Sequence, residues 1–280
     1  MNLHPLIGSM EKAALVSPLF KLAVKDNRQS GWFPATELFL EDHDRLRNMV
    51  TAHGLEAWGS SNRRVAGSAF IIAYLTRLVW PVIGQYVLAR RVPNVSLENL
   101  AFHLRDGRID ATAMIQPSFY LLPDDTAAMH ADGSVVDDDE ILFETLQRCL
   151  FDANLSRVVT SLHDSARASV NVSRNAVASA CAQAFHFLYP VVDDQAKLVA
   201  TAAAFFNSPV SLVHGQLTMN VFRHRGKEGF FARLRGCCLA WRIEESQYCS
   251  NCVLIPREEQ DRRFRALLER PGPFVSVSGQ

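Results

Sequence analysis

The sequence predicts an α+β protein that is predominantly helical, with a minor antiparallel β component and a small cysteine-bound module near its C-terminal end. Most of the 280-residue chain places apolar residues at helical spacing between capping residues. Residues 100–115 instead place apolar residues at alternate positions on both sides of a turn, as a β-hairpin does. Four of the six cysteines fall within residues 237–252. These observations together set the predicted fold class.

The first long helices are predicted in the N-terminal third of the chain. Asp42 opens an amphipathic stretch over residues 42–56 that has Leu46, Met49 and Val50 on one face. Residues 62–91 predict one or two buried or amphipathic helices, broken near Pro81 because proline lacks the amide hydrogen that a helix needs.

The apolar stretch 65–89 within this region is long enough to span a bilayer. Arg77 lies at its middle, and an arginine at the bilayer centre costs about 2.5–3.5 kcal/mol even on the mildest scale. No basic start with an apolar run and a cleavage site is visible at the N-terminus. We therefore expect no stable membrane insertion and a cytoplasmic location.

The middle of the chain contains the predicted hairpin and an acidic segment. Within residues 100–115 the turn falls at Asp106-Gly107, and the alternating positions are Leu100, Phe102 and Leu104, then Ile109, Ala111 and Ala113. Residues 121–145 hold eight acidic side chains and no lysine or arginine. They are interpreted either as a cation or docking site or, as the helix dipole favours, as the capped start of a helix running to about residue 161.

Three further helices and a tail complete the predicted elements. The helices cover about 163–188, ended by Tyr189-Pro190, then 193–206, and then 257–269 after the cysteines. The predicted division is a mostly helical region over 1–221, a cysteine module over 222–270 and a tail over 271–280. The balance of 29 basic against 29 acidic side chains excludes the charge excess of a nucleic-acid-binding protein.

The cysteine spacing is Cys-Cys-x10-Cys-x2-Cys, formed by Cys237, Cys238, Cys249 and Cys252. Disulfides are rare in a reducing compartment. A structural zinc site usually takes each ligand pair from C-x2-4-C, which the second pair matches and the adjacent first pair does not. An iron–sulfur cluster with two irons does not require four thiolates to converge on one point. The spacing alone favours a cluster but leaves zinc open.

The stretch 236–252, "GCCLAWRIEESQYCSNC", resembles the C-terminal signature of the FhuF-like ferric-siderophore reductases, Cys-Cys-Leu-x-Tyr-Arg followed by Cys-x-x-Cys. The four cysteines, Leu239 and Arg242 match, whereas Trp241 replaces the usual tyrosine. Elsewhere the resemblance is loose, at 173–180 and in the helical region 68–86.

The resemblance implies a [2Fe–2S] cluster on the four cysteines and one-electron reduction of a cytoplasmic Fe(III)-siderophore, of hydroxamate type, to release Fe(II). Region 1–221 is predicted to bind the siderophore, and a protein donor such as a ferredoxin is predicted to supply the electron. The alternative is a siderophore- or partner-binding protein whose four-cysteine tail holds structural zinc. No catalytic residue beyond the cluster is predicted.

Basic side chains flank the cysteines and give residues 221–252 a net charge of +3. They are interpreted either as a docking face for an acidic donor and compensation for a thiolate cluster, or as ordinary surface charge. Four side chains near the cluster are predicted either to contact its ligands or to dock the electron donor: Arg233, Arg235, Trp241 and Arg242. Arg242 is the main candidate to donate a hydrogen bond to the cluster.

The remaining cysteines and the histidines receive no site. Cys149 and Cys181 lie in helical stretches and are predicted to be buried free thiols. The nine histidines show no metal-binding spacing and are predicted to be core or surface residues. No nucleotide-binding glycine motif is evident, which favours a protein as the reductant.

Overall fold

The structure, a computed structural model, describes residues 3–25, 30–105, 108–242 and 248–270. It is 55% helical with 16% strand in small, mostly antiparallel sheets, so the predicted α+β, predominantly helical class is confirmed. The helices are α1 Pro5–Ala14, α2 His43–Trp58, α3 Arg63–Ala89, α4 Asp139–Gln147, α5 Ser156–Ala166, α6 Val170–Leu188, α7 Gln195–Asn207 and α8 Arg257–Glu269. The strands are β1 Ala23–Val24, β2 Trp32–Pro34, β3 Arg91–Pro93, β4 Leu100–Arg105, β5 Arg108–Met114, β6 Phe119–Leu121, β7 Gly133–Val135, β8 Leu217–His224 and β9 Lys227–Leu234.

Helix α3 is the central element, and it packs against α2 on one side and α6 on another. It is continuous, so the predicted break near Pro81 is wrong. Proline removes one backbone hydrogen bond, but almost every residue from Leu78 to Gln85 is fully buried, and this packing holds the helix together. By length and composition α3 could cross a membrane, and 78% of its apolar window is buried within the protein.

Several predicted elements are confirmed. Asp42 accepts a hydrogen bond from the amide of Arg45 and caps α2, whose buried face is the predicted one. The two strands β4 and β5 pair antiparallel, while the predicted turn at Asp106-Gly107 lies outside the described residues. Asp138 caps α4, which favours the capping interpretation of the acidic run. This helix continues through a π-helical segment, Arg148–Leu155, into α5 and so extends beyond residue 161.

Three sheets flank the helices. The first has the order β1-β5-β4-β2, the second β3-β6-β7, and the third is the β8–β9 hairpin. Apart from the parallel pairs β1–β5 and β6–β7, the neighbouring strands are antiparallel.

The β8–β9 hairpin joins the body of the protein to α8. Phe230 and Ala232 of β9 belong to the main hydrophobic core, whereas Phe231 faces the other way and stacks on Phe264 of α8 with ring centroids 4.6 Å apart. The predicted boundary at residue 222 falls inside β8. The division into a helical region and a module stays a prediction.

Candidate metal centre

The first cysteine pair follows β9 and lies on helices α3 and α6. The hydroxyl of Ser68, a buried residue near the start of α3, donates a hydrogen bond to the carbonyl oxygen of Cys238. Gly236 lies directly against Asn175 of α6, so closely that a Cβ at this position would fall 2.0 Å from the amide nitrogen of Asn175. The two central helices therefore fix the position of the Cys237–Cys238 backbone.

The second pair is held by α8. The amide of Cys252 donates to the carbonyl of Cys249 at 3.1 Å, which closes the C-x2-C turn. Gln260 donates to the carbonyl of Cys252 at 3.0 Å, and Arg263 donates to the carbonyls of Tyr248 and Cys249. Residues 243–247, which connect the two pairs, lie outside the described residues.

The thiols of the two pairs meet. The thiol of Cys249 donates a hydrogen bond to the sulfur of Cys238, and this bond lowers the pKa of Cys238 to about 6. The same bond, together with burial, raises the pKa of Cys249. Cys238 is therefore the group of this pair that ionises first, as a metal ligand must.

Backbone geometry presents a further donor to the first pair. The amide of Leu239 donates to the sulfur of Cys237 at 3.2 Å. Leu239 adopts a left-handed conformation with φ of 65°, which residues other than glycine rarely take and which is found at functional turns. Burial raises the pKa of the Cys237 thiol, and the Leu239 hydrogen bond partly offsets this.

The donor set fits an iron–sulfur cluster by its chemistry and by one orphaned polar group. Four free thiols face one another, with Cys252 buried and the others half-buried. The indole Nε1–H of Trp241 is buried, and among the described residues it reaches no acceptor in hydrogen-bonding geometry. It lies near enough to Cys237 to lower the pKa of that thiol. Such a donor suits a sulfur of a bound cluster.

Four thiolates on one tetrahedral zinc ion would lie about 3.8 Å from one another, given a Zn–S distance near 2.3 Å. Among the described residues, the one group that brings three potential ligand atoms within 4.8 Å of each other contains no cysteine. A binuclear group requires less convergence than a single ion does.

The predicted basic residues occupy different environments. Arg233 is largely buried, where it donates to Gln260 at 2.9 Å, pairs with Asp261 and lies over the Phe264 ring. Arg235 is exposed and donates weakly to the carbonyl of Gly215. Arg242 is exposed, with its guanidinium 5.3 Å from the Trp241 ring centroid. The exposed charge near the cysteines thus comes from Arg235 and Arg242, while Arg233 holds α8 against β9.

The other two cysteines lie within the helical core. Cys149 and Cys181 are both buried, and burial raises the pKa of Cys149 to about 11 and raises that of Cys181 as well. Both remain protonated at neutral pH. The predicted buried free thiols are therefore what the structure describes.

Sequence reasoning missed the residues beneath the cysteines. In the sequence, Ser68 and Asn175 stand out only as parts of stretches with a loose resemblance, and nothing marks Gln260 or Arg263. The available signal was the presence of a serine and an asparagine on the buried faces of apolar helices, where a polar side chain needs a partner.

A family model described as "Ferric iron reductase FhuF-like transporter" matches residues 68–229, more than half of the chain. The match begins at the serine that contacts the Cys238 backbone and ends before the first cysteine pair. No curated protein matches this chain.

Proposed function

The chain belongs to the family of FhuF-like ferric iron reductases, and from that premise we propose that it reduces a cytoplasmic Fe(III)-siderophore of hydroxamate type. In this proposal Cys237, Cys238, Cys249 and Cys252 hold a [2Fe–2S] cluster. The observation that carries the proposal is the meeting of the two thiol pairs, in which Cys249 bonds Cys238 and the first pair lies on the helices that the family match covers. The six free thiols suit a reducing compartment.

When bound, the cluster supplies a centre that accepts and gives one electron at a time. The residues of the chain would set its potential and access. The Leu239 amide donates to the sulfur of Cys237, and the Trp241 indole beside that thiol would donate to a sulfur of the bound cluster. Both donors would favour the more negative, reduced charge state. Cys237, Cys238 and Cys249 are each partly exposed, so a substrate could approach the centre from solvent.

The substrate would approach on the side where Trp241, Arg242 and Tyr248 lie. The rings of Trp241 and Tyr248 have centroids 6.0 Å apart, and Tyr248 and Arg242 are exposed. Aromatic faces and a guanidinium suit a bulky chelate with oxygen ligands. One electron converts Fe(III) to Fe(II), which hydroxamates hold far less tightly, so the metal leaves without cleavage of the ligand. A protein donor such as a ferredoxin would then restore the electron.

The test is a single-turnover reaction of the dithionite-reduced protein with a ferric hydroxamate siderophore and an Fe(II) trap. We expect one Fe(II) for each cluster oxidised. The Cys181→Ser variant, which alters a buried thiol away from the proposed ligands, should behave as the unaltered protein does. A reduced protein that leaves several ferric siderophores untouched would refute the reductase proposal.

The composition of the purified protein tests the cofactor separately. A coloured protein with two irons and two sulfides per chain is the expected result. A colourless protein that contains one zinc ion would instead support the alternative, a binding protein with a zinc-held cysteine tail.

A further inference from the structure

Three potential metal ligands, His4 and the nearby pair His130 and Asp132, meet at the start of α1. Nε2 of His4 lies 3.2 Å from Oδ2 of Asp132, and Nδ1 of His130 lies 3.8 Å from the same oxygen. The ligand atoms of these three residues all lie within 4.8 Å of one another. The group is half-buried, so it is shielded from bulk water without being closed to it.

Local structure holds each of the three side chains in place. His4 caps α1, because its Nδ1 accepts a hydrogen bond from the amide of Leu6 at 3.2 Å. The backbone of Asp132 is tied to β6 through the amide of Phe119 at 3.0 Å. The two imidazole rings pack edge to face with centroids 4.5 Å apart. The side chains are thus oriented by helix, turn and ring contacts.

The distances suit the coordination sphere of one ion. Two ligands held at about 2.0–2.1 Å by a tetrahedral ion lie about 3.3 Å apart, close to the His4–Asp132 separation. Two imidazoles and one carboxylate are the donors that divalent first-row transition ions take, whereas Mg²⁺ and Ca²⁺ prefer oxygen alone. An ion bound at Nε2 of His4 takes the place of the proton that now bonds Asp132. This proton moves to Nδ1, so the hydrogen bond that Nδ1 accepts from the Leu6 amide is lost when the ion binds.

Three protein ligands leave room for a further one. A groove of about 510 Å³ lies beside the group, and His130 forms part of its wall. Lys12 and Arg91 line the same groove. Arg91 is paired with Asp125, so Lys12 supplies the cationic charge of this wall. A water molecule or a small anion could complete the coordination from this side, and the Lys12 ammonium favours the anion.

This group is separate from the cysteines. Ser9 of α1 bonds Gln85 near the C-terminal end of α3, while Ser68, near the other end, contacts the first cysteine pair. Seventeen residues of α3 separate Ser68 from Gln85, which is about 25 Å along the helix. The geometry points to a mononuclear site for a divalent first-row transition ion at His4, His130 and Asp132, independent of the proposed reductase function.

The experiment is a titration of the chelator-treated, full-length protein with Co²⁺ and Zn²⁺. Cobalt held by nitrogen and oxygen lacks the thiolate-to-metal charge-transfer band that cobalt on the cysteines would show. We expect one equivalent bound without that band, and a Tm that rises with Zn²⁺ concentration. Asp132→Asn and His130→Ala should each weaken this binding at least about tenfold, as losses of ligand-sphere groups do.

Two variants keep the test falsifiable. His4→Asn removes the ligand but retains a side chain that caps helices well, so a loss of binding there reports on the metal and not on α1. His103→Ala is the matched control, because His103 pairs with Asp110 at 3.3 Å outside the three-residue group, and it should bind as the unaltered protein does. Equal Co²⁺ binding without the thiolate band in the unaltered protein and in Asp132→Asn, with both folded in the absence of metal, would overturn the inference. His4–Asp132 would then be a hydrogen bond that fastens α1.

Discussion

Replacing Gly236 by alanine should separate the cysteine pairs from the helices that support them. The Cβ of alanine at this position would fall 2.0 Å from Nδ2 of Asn175 and 2.4 Å from both Cγ and Oδ1. Ordinary contacts between such atoms are about 3.5–4.0 Å, so one side must move by more than about 1 Å. The backbone of Gly236 is not left-handed, so the clash alone is the source of strain.

The magnitude follows from the burial of Asn175. This residue is only 8% exposed, so its side chain has little free space to move into. Forcing an extra methyl group into such packing costs about 1–3 kcal/mol. We expect the free energy of unfolding to fall by this amount, and the Cys237–Cys238 segment to shift relative to Cys249.

The assay is denaturant unfolding combined with iron and sulfide analysis. Gly236→Ala should be less stable and should hold less cluster than the unaltered protein. The double variant Asn175→Ala/Gly236→Ala makes room for the methyl group and should recover most of both losses, with a coupling energy of about 1–3 kcal/mol. Gly215→Ala is not a suitable control because Gly215 has φ of 69°. Full stability and cluster content in Gly236→Ala, or no recovery in the double variant, would refute the packing argument.

The remaining predictions concern the ligands and the surface. A serine at any one of the four proposed ligands should lose most of the iron and sulfide, measured by metal analysis, whereas Cys181→Ser should retain both. The rate of electron delivery from an acidic ferredoxin should fall as the salt concentration rises, because exposed charges are screened over about 8–10 Å. Arg235→Gln should lower this rate, whereas Arg233→Gln should mainly lower stability by releasing Asp261. A rate that does not depend on salt would contradict the docking prediction. Trp241→Phe should lower the reduction potential of the cluster, measured by redox titration, by about 30–60 mV. This figure assumes that a hydrogen bond to a charged group contributes about 1.5–3 kcal/mol and that roughly half of it differs between the two redox states. An unchanged potential would show that the indole does not donate to the cluster.

The helices that the sequence predicted well have local determinants. A capping aspartate and one apolar face define α2, and α8 has the predicted bounds of 257–269. The break predicted at Pro81 failed because burial along α3 outweighs the loss of one hydrogen bond. The β8–β9 hairpin was not predicted, because adjacent Phe230 and Phe231 are buried on opposite faces and leave no polar alternation to detect.

The candidate centre likewise has a part that the sequence predicts and a part that only the structure shows. The cysteine pairs were predictable because their spacing is local. Arg242 was predictable for the same reason, since it lies between the two pairs in the sequence. The supporting contacts were not, because Ser68 and Cys238 are 170 positions apart and only the fold joins them. The His4–Asp132 contact, across 128 positions, was equally invisible to any search for spaced motifs. Local spacing thus predicts ligands, whereas the environment that tunes them depends on tertiary structure.

The limits of the family match carry a structural meaning. The match covers residues 68–229 and stops before the four cysteines, yet it contains Ser68 and Asn175, the two residues on which the first pair lies. The second pair depends on α8, which is joined to the matched region by Arg233 with Asp261 and by the Phe231–Phe264 stack. A thiol centre built on these two supports requires them to keep a fixed position relative to one another. The matched region therefore supports the first cysteine pair, and a change in that support, as at Gly236, should disturb the centre even though no ligand is altered.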